Sequence, residues 1–162
     1  MLDSNTTLRL ANALHNVVLD KQRPTITVDV FIPISKLDEF LAWYAREFDH
    51  FPLWMVPYKR VHDYEWLADS FYTNLDDDWF VDLAIYGMKP QSDKPYHQMM
   101  EAKLRELGGV KTLISHNYYT PDEFWKTWNK PNYDRVKAVM DPDNLFRDLY
   151  TKTCKAAMGI ES

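Results

Sequence analysis

Glycine is scarce in this chain. Only four are present, at Gly87, Gly108, Gly109 and Gly159, and only Gly108 and Gly109 are adjacent. Clustered glycines let backbone N–H groups close around a phosphate. The chain therefore has no visible means of gripping a pyrophosphate, and Gly108-Gly109 read instead as a helix stop before a strand. Cysteine is scarcer still. A lone Cys154 excludes an internal disulfide and a thiolate metal cluster. An excess of basic charge is missing too: 19 Lys and Arg against 24 Asp and Glu give a net charge of -5. That argues against nucleic acid as a partner, which requires a basic footprint. No run reaches about 18 apolar residues, so no membrane span is expected. The opening "MLDSNTTLRLANALH" lacks the basic start and long apolar core of a secretory signal, and a cytoplasmic setting is expected. G-x-S-x-G, H-E-x-x-H and P-loop motifs do not occur, nor do repeats or heptads.

What the chain has in quantity is aromatic surface: six Trp, ten Tyr and eight Phe in 162 residues. An apolar fraction of 46% is that of a globular protein, and the length suits one domain with one core. Within that domain an N-terminal helical segment covers 1–22, a mixed core 24–116 and a helical C-terminal part 120–158. In the first segment Leu8, Ala11, Leu14, Val17 and Val18 recur at helical spacing, giving a helix from about Thr6 to Leu19.

The core alternates in type. Ile26, Val28, Val30 and Ile32 share one face of a first strand. Ser35 reads as an N-cap, with Asp38 completing a weak capping box. Leu37, Phe40, Leu41, Tyr44 and Phe48 then form the stripe of an amphipathic helix, Lys36 to Phe48. "FPLWMVPYKRV" is a second strand, placed at an edge because Pro57 cannot donate to a ladder. "HDYEWLADSFYTNLDDD" is an irregular connection, and "WFVDLAIYGM" is a third strand. A helix follows with Tyr96, Met99, Met100, Lys103, Leu104 and Leu107 on one face, Lys103 snorkelling at its margin. "GVKTLIS" is the fourth strand. The expected fold is α+β: a ferredoxin-like βαββαβ antiparallel sheet, strand order 4-1-3-2, with helices on one face and further helices at both termini. Thr120-Pro121-Asp122-Glu123 is a strong helix start, Pro131 opens a second helix, and "LFRDLYTKTCKAAM" reads as a last one.

On such a sheet Asp29, Phe31, Phe80, Asp82 and Tyr86 face away from the two core helices. Aromatic rings and carboxylates on an open face are costly without a partner. A terminal helix, a second domain or a ligand would each serve. A second candidate region is "SHNYYTPDEFW", where a strand turns into a helix. His116 there is either an acid–base group or a capping histidine. Asp49-His50 and His62-Asp63 resemble metal-ligand pairs, but no spacing supplies further ligands. "DDDW" reads as a solvated turn, because a calcium loop needs alternating ligands and a glycine bend. Cys154, beside Lys152 and Lys155, is either a tuned thiol or a packed one, and no base stands at recognisable spacing.

Four stretches carry a resemblance. "FPLWMVPYKRV", "FVDLAIYGMKP", "GGVKTLISHNYYTPDEFW" and "DLYTKTCKAA" resemble, in order and spacing, the C-terminal part of FAD-dependent oxidoreductases of the vanillyl-alcohol-oxidase type. Within that family the likeness is to the delta-24 sterol reductase (24-dehydrocholesterol reductase)-like group. It runs from about Thr25 to Ala157. It implies a substrate or cap domain whose ferredoxin-like sheet closes over the flavin ring. The pyrophosphate of FAD would be held by an FAD-binding domain absent from this chain, in the same or a separate polypeptide. It implies a small hydrophobic substrate and no complete activity for this chain alone. By the same likeness His116, Asn117 and Tyr118 are candidate lining residues near flavin and substrate, with His116 a proton donor or acceptor beside a hydride step at flavin N5. Asp29, Asp82 and Tyr86 join them from the open-face argument. "DPDNLF" stands where many members carry an Asn-Pro-Gly-Lys-like loop, so Asp141 to Asn144 receive no cofactor role. The rival reading is a stand-alone ferredoxin-like module that binds a small hydrophobe or forms a homodimer through its sheet.

Overall fold

A computed structural model describes residues 26–160, except 74, 76, 90, 91, 156 and 157. The expected N-terminal helix lies outside the described residues. Four antiparallel strands form one sheet: β1 (Ile26–Pro33), β2 (Trp54–Lys59), β3 (Trp79–Met88) and β4 (Val110–Lys111). Their order is β2-β3-β1-β4. This is the expected α+β arrangement, and Pro57 does sit on an edge strand. Its missing N–H costs nothing there, because only one side of β2 is paired.

Two helices cover one face: α1 (Leu37–Glu47) and α3 (Tyr96–Leu107). Between β2 and β3 lies α2, a single turn at Asp69–Tyr72. The main core is where the helix stripes meet the alternating strand residues. Val30, Ile32, Leu83 and Ile85 from the sheet and Phe40, Tyr44, Met100 and Leu104 from the helices are all buried there. Burial of that apolar surface is the main stabilising term, roughly 25 cal/mol per Å². Lys103 lies at the margin as expected, its ammonium 2.8 Å from Glu39 and 2.9 Å from Glu106. Gly108 ends α3 in the left-handed conformation, φ 70°. Gly109 has a different reason: a Cβ there would stand 2.7 Å from the Phe31 carbonyl oxygen. The glycine pair serves a helix end and a close helix–strand approach.

Three local expectations are corrected. Ser35 is not the cap of α1. It lies in a 3-10 turn, Ile34–Lys36, and both its backbone N and its hydroxyl donate to Asp77 Oδ2. A carboxylate from a distant segment outcompetes the local capping box. The fourth strand stops after Lys111, although the pattern "VKTLIS" invites a longer one. The backbone turns because Asn117 Nδ2 donates to the carbonyl oxygens of Ser115 (2.7 Å) and Thr153 (3.3 Å), drawing the chain off the sheet. The last helix begins later than its pattern: residues 149–150 are helical and Thr151–Lys155 continue as a π-helical turn. Leu145 N and Phe146 N instead donate to the Asp141 carboxylate, which holds that segment as a loop.

The C-terminal part folds onto the second face of the sheet. It begins with α4 (Pro121–Thr127), whose capping box forms as expected: Glu123 N donates to Thr120 Oγ1 and Thr120 N to Glu123 Oε2. Then comes α5 (Lys130–Met140). Phe124, Trp128, Tyr119, Tyr150 and Cys154 make a second apolar cluster with Val110 and Leu67. Phe124 and Trp128 stack with centroids 5.1 Å apart. This cluster covers the β4 side of the second face. Among the described residues no element covers the other side, where β1 begins and β3 ends.

Candidate functional site

The candidate residues fall into two groups at the same end of the sheet. The first is the corner after β4. Lys111 points under α3, where its ammonium meets Glu101 at 2.6 Å. The two side chains are 1% and 3% exposed. Both reach on to the corner: Lys111 Nζ donates to His116 O (2.8 Å), and Tyr118 N donates to Glu101 Oε1 (3.0 Å). Burial holds the Lys111 ammonium below the usual lysine range, with Glu101 opposing the shift. A buried ion pair thus fixes the backbone of the quoted loop. Asn117 is fully buried, and its Oδ1 has no hydrogen-bond partner among the described residues. The side chain of His116 is exposed, with its ring 5.5 Å from that of His97. Tyr118 completes the group, 5.8 Å from His97.

The second group lies on the open half of the sheet face. Tyr86 OH donates to Asp29 Oδ1 at 2.6 Å. Asp82 sits between Phe31 on β1 and Val56 on β2 in the strand register. Its Oδ1 is buried and has no partner among the described residues. Burial, and then the nearby Asp29 carboxylate, push the Asp82 carboxyl up to about 6. Trp54 is 70% exposed and Tyr86 50%. The structure brings Asp29, Asp82 and Tyr86 together, as alternation along the strands requires. They make no hydrogen bond or ring contact with His116 or Tyr118 among the described residues. The link is through backbone: Thr112 N donates to Asp29 O at 2.9 Å, and the corner loop leaves the sheet from there.

An acid that ionises near pH 6 on an aromatic surface can lend or take a proton at neutral pH. It also costs stability. An unfolded Asp ionises near 3.8, so between about 4 and 6 the folded chain binds more protons and loses stability as pH rises. Asp82→Asn is expected to match the parent at pH 4 and to exceed it by about 1 kcal/mol at pH 7.5. That figure is discounted for solvent screening of a partly exposed group. Urea unfolding at the two pH values tests it, and equal stability at pH 7.5 would refute the strained acid.

Other candidates resolve into packing. Burial pushes the Cys154 thiol up to about 11, so it is a packed neutral thiol. His50 Nε2 pairs with Tyr86 O at 2.9 Å, and Asp63 pairs with Arg60 at 2.8 Å. Among the described residues no three His, Cys, Asp or Glu side chains converge as metal ligands would.

One feature escaped the sequence reading. The connection between β2 and β3 folds back over the sheet and walls a half-open cavity of about 220 Å³. Its floor is Phe31, Phe80 and Val110. The available signal was four aromatics in nine residues: Tyr64, Trp66, Phe71 and Tyr72. Without strand or helix period, that run read as an irregular link.

The chain is 23% identical to the Delta(24)-sterol reductase homolog dhcr-24 of Caenorhabditis elegans over 139 residues, which is 83% of this chain and 26% of that protein. It is 22% identical to the Delta(24)-sterol reductase of Rattus norvegicus over 160 residues, and 21% identical to that of Homo sapiens over 159. Each of those two alignments takes in 96% of this chain and 28% of the relative. The similarity is to Delta(24)-sterol reductases. It is distant, it extends over most of the chain, and the chain spans about a quarter of the length of the curated relatives it matches. No family model matches the chain, and no solved structure matches it significantly. Among the described residues no helix is long and apolar enough to cross a membrane.

Proposed function

We propose that this chain is the substrate-binding, or cap, part of an FAD-dependent oxidoreductase, working against an FAD-binding domain in the same or a separate polypeptide. The observation that carries the reading is the open half of the sheet face. There the exposed rings of Trp54 and Tyr86 flank an acid, Asp82, whose buried Oδ1 lacks a partner among the described residues. The distant similarity to Delta(24)-sterol reductases over most of the chain supports it.

The residues present fit the ring of a flavin and not its diphosphate. A flat apolar surface with an unsatisfied polar atom suits a heteroaromatic ring with hydrogen-bonding edges. The adjacent glycines offer no anion cradle: Gly109 is spent on the contact with Phe31 O, and Gly108 on ending α3. When bound, the flavin would supply hydride transfer, and this chain's residues would do the rest. Trp54 and Tyr86 would exclude water from the ring face. Asp82 would hold or move a proton. His116 and Tyr118 would line the substrate side at the corner, His116 as proton donor or acceptor there, with Asn117 holding that corner in place. The substrate is a small hydrophobe.

Co-expression with an FAD-binding domain from the same genome tests the reading. The expected result is a yellow complex that turns over, while this chain alone is colourless and inactive. An FAD-binding domain that reaches the same turnover without this chain would overturn it.

A further inference from the structure

The cavity beneath the β2–β3 connection belongs to neither group of candidate residues. Tyr58 walls one side, with its ring edge against Phe31 at 5.7 Å between centroids. Tyr64 and Trp66 form the outer wall, and Phe71 closes the back. We propose that this chain forms, by itself, a binding site for a flat, uncharged, hydrocarbon-like ligand of one or two rings, seated on Phe31, Phe80 and Val110 beneath Tyr64 and Trp66.

Size selects the ligand first. A cavity of about 150 Å³ lined by apolar side chains accepts one benzene ring. The 220 Å³ here takes a substituted ring or two fused rings, and anything longer must leave through the open mouth.

Polarity selects it second. Two of the polar groups around the cavity, Tyr72 and Arg60, are already engaged. Tyr72 OH donates to Tyr64 O (3.1 Å) and accepts from Tyr64 N (2.7 Å). Arg60 is held by Asp63 at 2.8 Å and Asp78 at 3.1 Å, and it lies 5.4 Å from the Tyr72 ring. Its charge is cancelled by two carboxylates, so Arg60 does not draw an anion to the mouth. Lys59 lies at the rim, its ammonium 5.9 Å from the Trp79 ring.

The walls are also preformed, which spares the cost of ordering them on binding. Asn132 Nδ2 donates to Glu65 O (2.8 Å), Asn129 N to Trp66 O (3.0 Å) and Asn129 Nδ2 to Leu67 O (3.2 Å). The start of α5 therefore pins the outer wall from behind. The site needs no flavin, so it stands or falls separately from the proposed function.

The test is calorimetric titration of the full chain with 2-naphthol and with 2-naphthoate, in the absence of FAD. The expected dissociation constant for 2-naphthol is on the order of 10–100 µM, the range open to ligands of this few atoms. 2-Naphthoate should bind at least about tenfold more weakly, because the apolar walls cannot solvate a carboxylate. Tyr64→Ala, at a position 37% exposed, removes a wall without opening the core and should weaken 2-naphthol at least about tenfold. Val110→Phe should fill the cavity and abolish binding, with thermal unfolding used to confirm that the variant is folded. Trp54→Ala, on the open half of the face, should bind as the parent does. No binding at 1 mM (about tenfold above the expected range), unchanged affinity in Tyr64→Ala, equal loss in Trp54→Ala, or tighter binding of the anion would each overturn the assignment.

Discussion

Lys111→Met is expected to cost about 3–5 kcal/mol of folding stability, the usual penalty for removing one partner of a buried ion pair. Methionine fills the space of the stem but leaves the Glu101 carboxylate without its cation, in a site where both side chains are almost fully covered. Glu101 retains Tyr118 N as a donor, which softens the loss without replacing a charge. The double variant Glu101→Gln, Lys111→Met should recover most of the deficit, because a neutral pair pays little desolvation. Equilibrium unfolding in urea reads all three proteins. A single variant within about 1 kcal/mol of the parent would mean that the pair is solvated rather than buried. The consequence extends to the corner. His116 O and Tyr118 N are both held by this pair, so the exposed His116 ring should lose its fixed position in the single variant.

His116→Ala, made in the proposed complex with an FAD-binding domain, is expected to lower turnover by roughly 10²–10⁴-fold, the usual contribution of a positioned acid or base. Flavin content should stay at the parent level, since the exposed ring is not part of the core. The measurement pairs steady-state turnover with the flavin-to-protein ratio. Flavin lost in step with activity would assign His116 a structural role. Its neighbours give a control. His97 and Tyr118 share the ring cluster, so Tyr118→Phe keeps the packing and should leave turnover far closer to the parent.

Much of the architecture was legible because apolar periodicity is a local property. In β3 the alternation of Val81, Leu83 and Ile85 with Phe80, Asp82 and Tyr86 announced two faces, and the strand spans the expected residues. Pro57 announced an edge for a reason internal to one residue. The Thr120–Glu123 capping box formed because both partners lie within one turn. The failures share the opposite cause. Ser35 yielded to Asp77, 42 positions away. The fourth strand yielded to Asn117, which reaches across to Thr153 O.

The candidate residues divide in the same way. Asp29, Asp82 and Tyr86 were placed together by strand alternation and topology, and the hydrogen bond between Tyr86 and Asp29 follows from that placement. Glu101 and Lys111 gave no signal. A charged residue on a helix and another on a short strand look like solvated positions until the two elements are packed. The same holds for the aromatic wall of the cavity, which exists only where the β2–β3 connection returns over the sheet.

By itself, the order of residues determined an α+β sheet with two helices on one side and an edge strand at Pro57. Tertiary structure alone decided which half of the second face is covered, that Asp82 is an acid raised toward neutrality, and that a buried Glu101–Lys111 pair anchors the His116 corner. The division is physical. Period, caps and backbone freedom act within a few residues, whereas desolvation and cross-chain hydrogen bonds arise only when distant segments exclude water together.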